Sequence, residues 1–474
     1  MAQALVRTNK KLARIVLYSL PVLLLLGGSW VVQNLGSLDI VNAWLDESWE
    51  DYESVRLFQE YLRFDTSYPD GNEIPAAEFL AGVLGDAGFD VHLERVGHRN
   101  ANLWARLEGD NPKALVLHNH IDVEPVLFRD KWREDPFGGA IDPPFIYGRG
   151  AFDMKSIAIA QLMAVLDLQR GDRPRRSVVF LATADEERDS YLGTQRLLPE
   201  HPEWREEFWA VLTEGGAVEA INVDEVKYWG TEFQQKRFVD VWVCDGDERR
   251  LKDLRKLIKR RQGERRMIPA MEAFFAEYAP SRDRPETRKL LQRPDTLLER
   301  LRTWPGEVGP TVIPPYVDAM LREEVVAFPV EESDGGGFEM RLILHLMPDA
   351  PLEVAWERLV GDDLEGFTYT VIETHPPVEA SPLDHEVFRG IDAVMARRYP
   401  EFDHGPLYLP WTATDARFFR QYGIPAYGFG PFRMLSSDAM SMKGVNERVP
   451  LPAFVEGVDL YVELVRHLAG PADN

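Results

Sequence analysis

Histidine, aspartate and glutamate residues stand directly after apolar runs of this sequence, where they could bind a metal ion. His120 and Asp122 follow the apolar run 114–117. An imidazole binds a divalent ion through one ring nitrogen, and a carboxylate two residues further on can hold the N–H of the other ring nitrogen. Asp153 stands in a loop before the apolar-periodic stretch 154–168, where one carboxylate could bridge two ions. These residue types and spacings favour a metal centre.

Alternating strands and helices are predicted to position these residues. Five apolar runs have the length and composition of strands, and helical stretches lie between several of them. This alternation predicts an α/β fold, a mixed sheet with a parallel centre flanked by helices. Ligands bind at the carboxyl ends of strands in such sheets, and three predicted strands end at or just before His120, the Glu186–Glu187 pair and Glu214. The predicted strands are 91–95, 102–107, 114–118, 177–182 and 209–213.

Several motifs occur in order along the chain and resemble metallopeptidase family 20. This family includes aminoacylases, glutamate carboxypeptidases and succinyl-diaminopimelate desuccinylase, and the chain is most similar to its membrane-associated or secreted N-acyl-amino-acid hydrolases. The resemblance covers about residues 50–216 and 366–470 and implies a zinc-peptidase-like catalytic domain with an inserted α+β lid. The motifs are HNHIDVEPV, WREDPFGGAID, GRGAFDMK, ADEERDSYLGT, TEGG and TDARFF.

The resemblance implies a role for each residue of the predicted site. Zinc is the implied cofactor, as one or two ions, with manganese or cobalt as alternatives. A dinuclear site can polarise an amide carbonyl and activate water, and a nearby carboxylate can carry the proton to the leaving amine. The implied roles are Asp153 as the bridging ligand with a cis bond to Met154, His120 and Glu214 as ligands of one ion, Glu187 as a ligand of the other, Glu186 as the general base, and Asp122 as the partner of His120.

Two positions depart from the family pattern. Lys443 stands where the family has the last histidine ligand of the second ion, directly before the run 444–448 that keeps the pattern. A protonated amine has no lone pair to donate, and its charge lies close to the ion. We therefore expect a weakened second site, or an ammonium that stands in for the ion. His345 stands at the position of a substrate-facing arginine and is a candidate substrate-binding residue, whereas the family's lid histidine is missing from the turn at 244–253.

The chain is predicted to divide into four segments. These are a membrane anchor at 1–36, a first catalytic part at 37–216, a lid at 217–365 through which a homodimer could form, and a second catalytic part at 366–474. Residues 15–32 carry no charge and follow four basic residues, which predicts one membrane span with the catalytic part outside the cytoplasm. A cleaved signal peptide is the alternative. Within the lid, strands are predicted at 238–244 and 338–346, and helices at 249–262, 285–302 and 352–360.

The charge balance limits the classes of partner. The formal net charge is −24, from 54 basic and 78 acidic residues. Such a surface repels phosphate backbones, so nucleic-acid binding is not expected. The single cysteine, Cys244, excludes a disulfide within the chain.

Two hypotheses of function follow from these observations. The first is a metal-dependent hydrolase of amide bonds in N-acyl amino acids or small peptides, with one weakened metal site. The alternative is a catalytically reduced relative that keeps the cleft as a binding or structural module. Retention of the five converging polar residues favours the hydrolase, whereas Lys443 and the missing lid histidine favour the alternative.

The adjacent glutamates allow a test of the predicted roles. If Glu186 transfers protons and Glu187 binds metal, Glu186→Gln should abolish hydrolysis with metal content unchanged, whereas Glu187→Ala should lower metal content. Activity assays and elemental analysis of the two purified variants give both readouts. The reverse pattern would exchange the assignments, and no effect of either change would remove both.

Overall fold

The computed structural model describes residues 48–222, 225–259, 261–303, 315–333, 335–373 and 377–471. Within these residues sixteen strands form three sheets, one large and two small. The strands are β1 Val91–Val96, β2 Asn100–Leu107, β3 Asn111–His120, β4 Ala140–Asp142, β5 Phe145–Tyr147, β6 Arg176–Thr183, β7 Phe208–Thr213, β8 Ala217–Asn222, β9 Glu225–Gln235, β10 Arg237–Asp245, β11 Glu324–Glu332, β12 Phe338–Leu346, β13 Thr368–Glu373, β14 His404–Leu409, β15 Ala426–Gly428 and β16 Arg448–Pro450.

Fifteen α-helices of the described residues connect and cover these strands. They are α1 Glu53–Leu62, α2 Ile74–Asp86, α3 Ser156–Arg170, α4 Thr194–Glu200, α5 Trp204–Glu207, α6 Glu248–Ile258, α7 Pro269–Tyr278, α8 Pro285–Leu291, α9 Pro294–Thr303, α10 Pro315–Met320, α11 Leu352–Leu359, α12 Glu386–Arg398, α13 Ala416–Gln421, α14 Ser436–Ala439 and α15 Leu451–Ala469.

The large sheet has the strand order β1–β2–β6–β3–β7–β15–β9–β14, and β8 pairs with β9. Strands β6, β3, β7 and β15 are parallel neighbours, whereas β1 and β2 are antiparallel to their neighbours. The central strands are apolar on both faces because helices cover both sides of the sheet. The predicted α/β class, a mixed sheet with a parallel centre, is confirmed.

Helices pack on both faces of the large sheet. On one face α3 and α15 lie together, and apolar side chains such as Leu162 and Leu464 join Leu115 and Phe180 of the sheet in the main core. On the other face a second cluster contains Val116 and Val179 of the sheet with side chains of α4 and α13. These helices hold the strands in place, and the strands therefore present their carboxyl ends at fixed positions.

The second sheet is antiparallel, in the order β11–β12–β10–β13. Its core contains alternate residues of β10 and β12, with side chains of α6 and α11 packed on the same face. All four strands lie between residues 237 and 373, whereas β8 and β9 at 217–235 pair within the large sheet. The four-segment division of the chain stays a prediction.

One predicted lid helix is divided in the structure. The sequence predicted a single helix over 285–302, and the structure has α8 and α9 instead. Pro294 is the first residue of α9. Proline has no N–H to continue the hydrogen bonding of a helix, but it is well suited to the first helical position. The break therefore falls directly before this proline.

The predicted membrane anchor is corrected. In the part of the chain that the structure describes, no helix is both long enough and apolar enough to cross a bilayer. The segment 15–32, on which the prediction was made, lies outside the described residues. The membrane-anchored location and the placement of the catalytic part outside the cytoplasm were wrong and are withdrawn.

A buried ion pair joins α13 to the large sheet. Arg420 donates to the Glu232 carboxylate at 2.6 Å and to the Ala426 carbonyl at 2.7 Å, and the side chains of this pair are 2% and 0% exposed. Removing one partner leaves the other charge buried and uncompensated. The pair therefore determines how α13 lies against β9.

We expect Arg420→Met to lower the free energy of unfolding by about 3–5 kcal/mol, measured by urea unfolding. Arg63→Met is the matched control, because Arg63 and Glu60 form an ion pair whose side chains are 51% and 47% exposed. Arg63→Met should lower the free energy of unfolding by less than about 1 kcal/mol. Equal losses in the two variants would contradict the role of the buried pair.

Candidate metal centre and active site

Three parallel neighbours of the large sheet end at the candidate site. His120 is the last residue of β3, which lies between β6 and β7. Glu186 and Glu187 lie in a short 3-10 turn after β6, and Glu214 directly follows β7. The sheet therefore brings together residues that are almost a hundred positions apart in sequence, as the predicted strand ends implied.

Asp153 joins this group from the loop before α3. Its Oδ1 lies 3.3 Å from His120 Nε2, and Glu214 Oε2 lies 3.8 Å from the same nitrogen. The peptide bond between Asp153 and Met154 is cis, as the resemblance implied. The loop thus places the Asp153 carboxylate opposite the ends of the three strands.

The donor atoms fall into two groups that share His120. His120, Glu186 and Glu214 form one group, and His120, Asp153 and Glu187 form the other, with the donor atoms of each group within 4.8 Å of one another. The resemblance implied Asp153 as a ligand of both ions, Glu214 as a ligand of one, Glu187 as a ligand of the other, and Glu186 as the general base. The structure differs in placing a Glu186 oxygen among the donor atoms of the first group. Imidazole nitrogen and carboxylate oxygen are the donors of catalytic zinc sites.

Burial and mutual repulsion make this cluster a place for a cation. Burial, with the charge of Asp153 adding to it, raises the pKa of Glu214 to about 8. Burial likewise raises the pKa values of Glu186 and Glu187 well above the usual range. Glu187 Oε1 is buried with no hydrogen-bond partner among the described residues. A divalent ion would offset the repulsion between these carboxylates, so the imidazole of His120 with the carboxylates of Asp153 and Glu214 fits the implied metal.

Asp122 makes hydrogen bonds both to His120 and to the turn that carries Glu186 and Glu187. Its carboxylate accepts hydrogen bonds from the backbone N–H groups of Glu186 at 3.0 Å and Glu187 at 2.9 Å. Its backbone carbonyl accepts from His120 Nδ1 at 2.9 Å, whereas its Oδ1 lies 3.4 Å from that nitrogen. His120 Nδ1 therefore carries the proton, and Nε2 is left to face the carboxylates. The main partner of His120 is thus the Asp122 carbonyl rather than the predicted carboxylate.

Lys443 reaches into the second donor group. Its Nζ donates to Glu187 Oε2 and lies 3.2 Å from Asp153 Oδ2. The backbone of Lys443 is left-handed, with a φ of 57°, in the turn between α14 and β16. The structure therefore places the lysine ammonium between the two carboxylates of this group.

Glu447 and Arg149 were missed as site residues by the sequence analysis. Glu447 Oε1 accepts from the N–H groups of Phe152 at 3.0 Å and Asp153 at 3.2 Å, and its Oε2 accepts from Arg149 Nη1 at 2.6 Å. Arg149 also donates to the carbonyl of Lys443 at 3.2 Å. This buried pair joins the Asp153 loop to the Lys443 turn. The retained run 444–448 was the signal that could have indicated it.

His118 stands two residues before His120 but faces away from the donor groups. Its Nδ1 lies 2.9 Å from the Thr213 hydroxyl, and its Nε2 lies 3.0 Å and 3.1 Å from those of Thr183 and Thr194. Burial lowers the pKa of His118 to about 4. Threonine hydroxyls thus occupy both ring nitrogens of His118.

A polar cleft of about 300 Å³ opens beside the second donor group. His345 and Arg341 of β12 line it, and Arg341 donates two hydrogen bonds to Asp240, at 3.0 Å and 2.6 Å. Arg417 also lines it, with Nη2 3.1 Å from Asp189 and Nη1 3.8 Å from Glu186 Oε1. The structure thus places Arg341 and Arg417 beside His345, which the sequence analysis had named as a candidate substrate-binding residue.

An apolar cavity of about 260 Å³ adjoins the first donor group. Asp153, Glu214 and Glu186 form its polar end. Glu186 and Lys443 line both this cavity and the polar cleft. The donor groups therefore lie at the junction of a polar and an apolar space. The apolar lining includes Phe152, Ile157, Leu409, Phe432, Met434 and Met442.

Comparison with known proteins defines the class to which this site belongs. The family described as peptidase family M20/M25/M40 matches residues 116–467. The chain belongs to this family. It is a hydrolase of the aminoacylase and peptidase type.

Three individual proteins are similar to this chain over most of its length. Aminoacylase-1A of Rattus norvegicus is 26% identical over 428 residues, which cover 88% of this chain and 96% of the relative. An M20 family metallo-carboxypeptidase of Sulfolobus solfataricus has the same fold, with a TM-score of 0.69, 16% identity, and coverage of 88% of this chain and 99% of the other. A peptidase of Bacillus subtilis described as dinuclear and metal-binding aligns with a TM-score of 0.50 and 11% identity over 87% of this chain and 96% of the other.

The position of Glu447 leads to a prediction about metal affinity. We expect Glu447→Gln to weaken metal binding roughly 10–100-fold, because the amide replaces one carboxylate oxygen by an NH₂ group, which would face either the backbone N–H groups of Phe152 and Asp153 or the Arg149 guanidinium. A competition titration against a chelator measures the affinity. Glu463→Gln is the control, since Glu463 pairs with Arg397 and Arg398 at the surface. Unchanged affinity in Glu447→Gln would contradict the positioning role.

Proposed function

We propose that the protein is a metal-dependent hydrolase that cleaves the amide bond of N-acyl amino acids or small peptides. The observation that carries this proposal is the convergence of four buried or half-buried carboxylates on His120, three of them directly after parallel strands and the fourth, Asp153, from the loop before α3. The long alignment with an aminoacylase supports the same reaction.

The residues at the junction of the two cavities suit distinct roles. His120 and Glu214 would hold one divalent ion, with zinc the first candidate. Asp153 would be its third ligand through Oδ1, which lies 3.3 Å from His120 Nε2, whereas its Oδ2 lies 3.2 Å from Lys443 Nζ. Such an ion, when bound, polarises an amide carbonyl and lowers the pKa of water. Glu186 is the proposed general base. Its carboxylate lines both cavities, so it lies next to the position of an amide bond in a substrate that occupies both. It accepts a proton from water and returns it to the leaving amine.

Arg417 and Asp122 support Glu186 in this role. The turn that carries Glu186 is held by the Asp122 carboxylate at 3.0 Å from the Glu186 N–H. Arg417 Nη1 lies 3.8 Å from Glu186 Oε1, and this nitrogen and Nε have no hydrogen-bond partner among the described residues. Its buried guanidinium therefore has N–H groups that can bind a substrate oxygen.

The two cavities suggest how a substrate lies. The apolar cavity would take the acyl chain or an apolar side chain, because most of its lining is apolar, with side chains such as Ile157, Phe432 and Met434. The polar cleft would take the substrate carboxylate near Arg417, since Arg341 is already paired with Asp240. A cationic group such as Arg417 is needed to attract a substrate carboxylate, because the chain as a whole carries a net charge of −24.

A binding module without turnover is the second candidate. The observation that favours it is the lysine ammonium within the second donor group. Retention of Glu186 next to His120 and Glu214 favours hydrolysis, because binding alone does not require a general base.

We expect the chelator-stripped protein to be inactive on N-acyl amino acids and to regain hydrolysis when zinc, manganese or cobalt is added. Lengthening the acyl group by two methylenes should raise kcat/KM roughly tenfold, because each buried methylene contributes about 0.8 kcal/mol. Steady-state assays across an acyl series measure both effects.

Histidine substitutions provide the controls for this assay. His120→Ala should lose metal and activity, whereas His201→Ala should retain both, because His201 lies at the protein surface and pairs with Glu203. Tight substrate binding with no turnover in the metal-loaded protein would contradict the proposal and support the binding module.

A further inference from the structure

Lys443 stands in the second donor group as a built-in cation. Its Nζ contacts Glu187 Oε2 and lies 3.2 Å from Asp153 Oδ2, and these are the two carboxylates of that group. We propose that this ammonium takes the place of a second divalent ion, so that the protein binds one tight ion where a dinuclear site would bind two. The inference rests on the proposed metal-dependent hydrolase and specifies its metal stoichiometry.

The donors of the second group are too few when the first ion is bound. His120 belongs to both groups, but its Nδ1 is bonded to the Asp122 carbonyl and only Nε2 can bind an ion. When Nε2 binds the first ion, Asp153 and Glu187 are the donors that remain in the second group. A zinc ion is usually held by three or four protein donors, so two carboxylates form a weak site.

The ammonium also obstructs the position of the second ion. A carboxylate-bound zinc lies about 2 Å from its oxygen ligands. An ion held by Asp153 and Glu187 would therefore lie close to Lys443 Nζ, which contacts oxygens of the same two residues. Two cations at that separation repel strongly, and a protonated amine has no lone pair with which to bind the ion. The lysine thus both neutralises the carboxylates and excludes the ion.

The turn that carries Lys443 is attached to the wall of the site. Arg149 donates to the Lys443 carbonyl at 3.2 Å, and the neighbouring Asn446 accepts from the N–H of Arg133 at 2.6 Å. Glu447 joins the same turn to the N–H of Asp153 at 3.2 Å. The ammonium therefore extends from a backbone whose position is tied to one of the carboxylates that it contacts.

Metal stoichiometry tests the inference separately from catalysis. After loading with zinc and dialysis, the wild-type protein should retain about one ion per chain by elemental analysis. Lys443→His removes the positive charge and adds an imidazole, so this variant should retain about two. Lys227→His is the matched control, because Lys227 also bridges two carboxylates, Glu225 at 2.8 Å and Asp283 at 2.7 Å, away from the donor groups. The control should retain one ion.

Each alternative result has a defined meaning. Two tight ions in wild type, or one ion in a folded Lys443→His variant, would overturn the inference and leave the proposed function intact. No tight ion in wild type would overturn the proposed function itself. If Lys443→His fails to fold by circular dichroism, Lys443→Gln provides the second test, since it removes the charge and keeps most of the side-chain length. Calorimetric titration should then show a second, weaker zinc site, and its absence would overturn the inference.

Discussion

Four buried carboxylates around a single histidine are the constraint on which the rest of this structure depends. Carboxylates at such separations repel one another, and burial raises the cost because water cannot screen the charges. Positive charge must therefore enter the cluster. In this chain part of it comes from Lys443, which contacts Glu187 and Asp153, and the proposed divalent ion beside His120 would supply the rest. The same cluster thus explains a catalytic metal site and the presence of a lysine within it.

The cluster also depends on contacts between distant parts of the chain. Asp122 holds the turn of Glu186 and Glu187, and Glu447 holds the loop of Asp153 from about 300 positions further along the sequence. Both carboxylates accept hydrogen bonds from backbone N–H groups, so these contacts position the backbone of the loops. The third sheet contributes to this arrangement because β16, which follows Glu447, pairs with β5, which precedes the Asp153 loop.

The polar cleft and the apolar cavity meet at Glu186, where the proposed reaction would take place. One is apolar and adjoins Asp153 and Glu214, and the other is polar and contains Arg341, His345 and Arg417. A substrate with an apolar acyl group and a carboxylate would satisfy both only when its amide lies at their junction. The proposed general base, Glu186, therefore lies at the junction where the proposed substrate would place its amide.

The sequence by itself determined the α/β class and the residues that end the central strands. Apolar runs such as 114–117 predict buried strands by local composition, and polar residues directly after them indicate the ligand-binding edge. It did not determine the break before Pro294, the pairing of β8 and β9 with the large sheet, or the roles of Arg149 and Arg417. Only the tertiary structure decided that Asp122 bonds to His120 through its carbonyl, and that the Lys443 ammonium lies between Asp153 and Glu187. These contacts join residues far apart in sequence, and their distances and directions depend on how the sheets and loops pack, which local patterns do not contain.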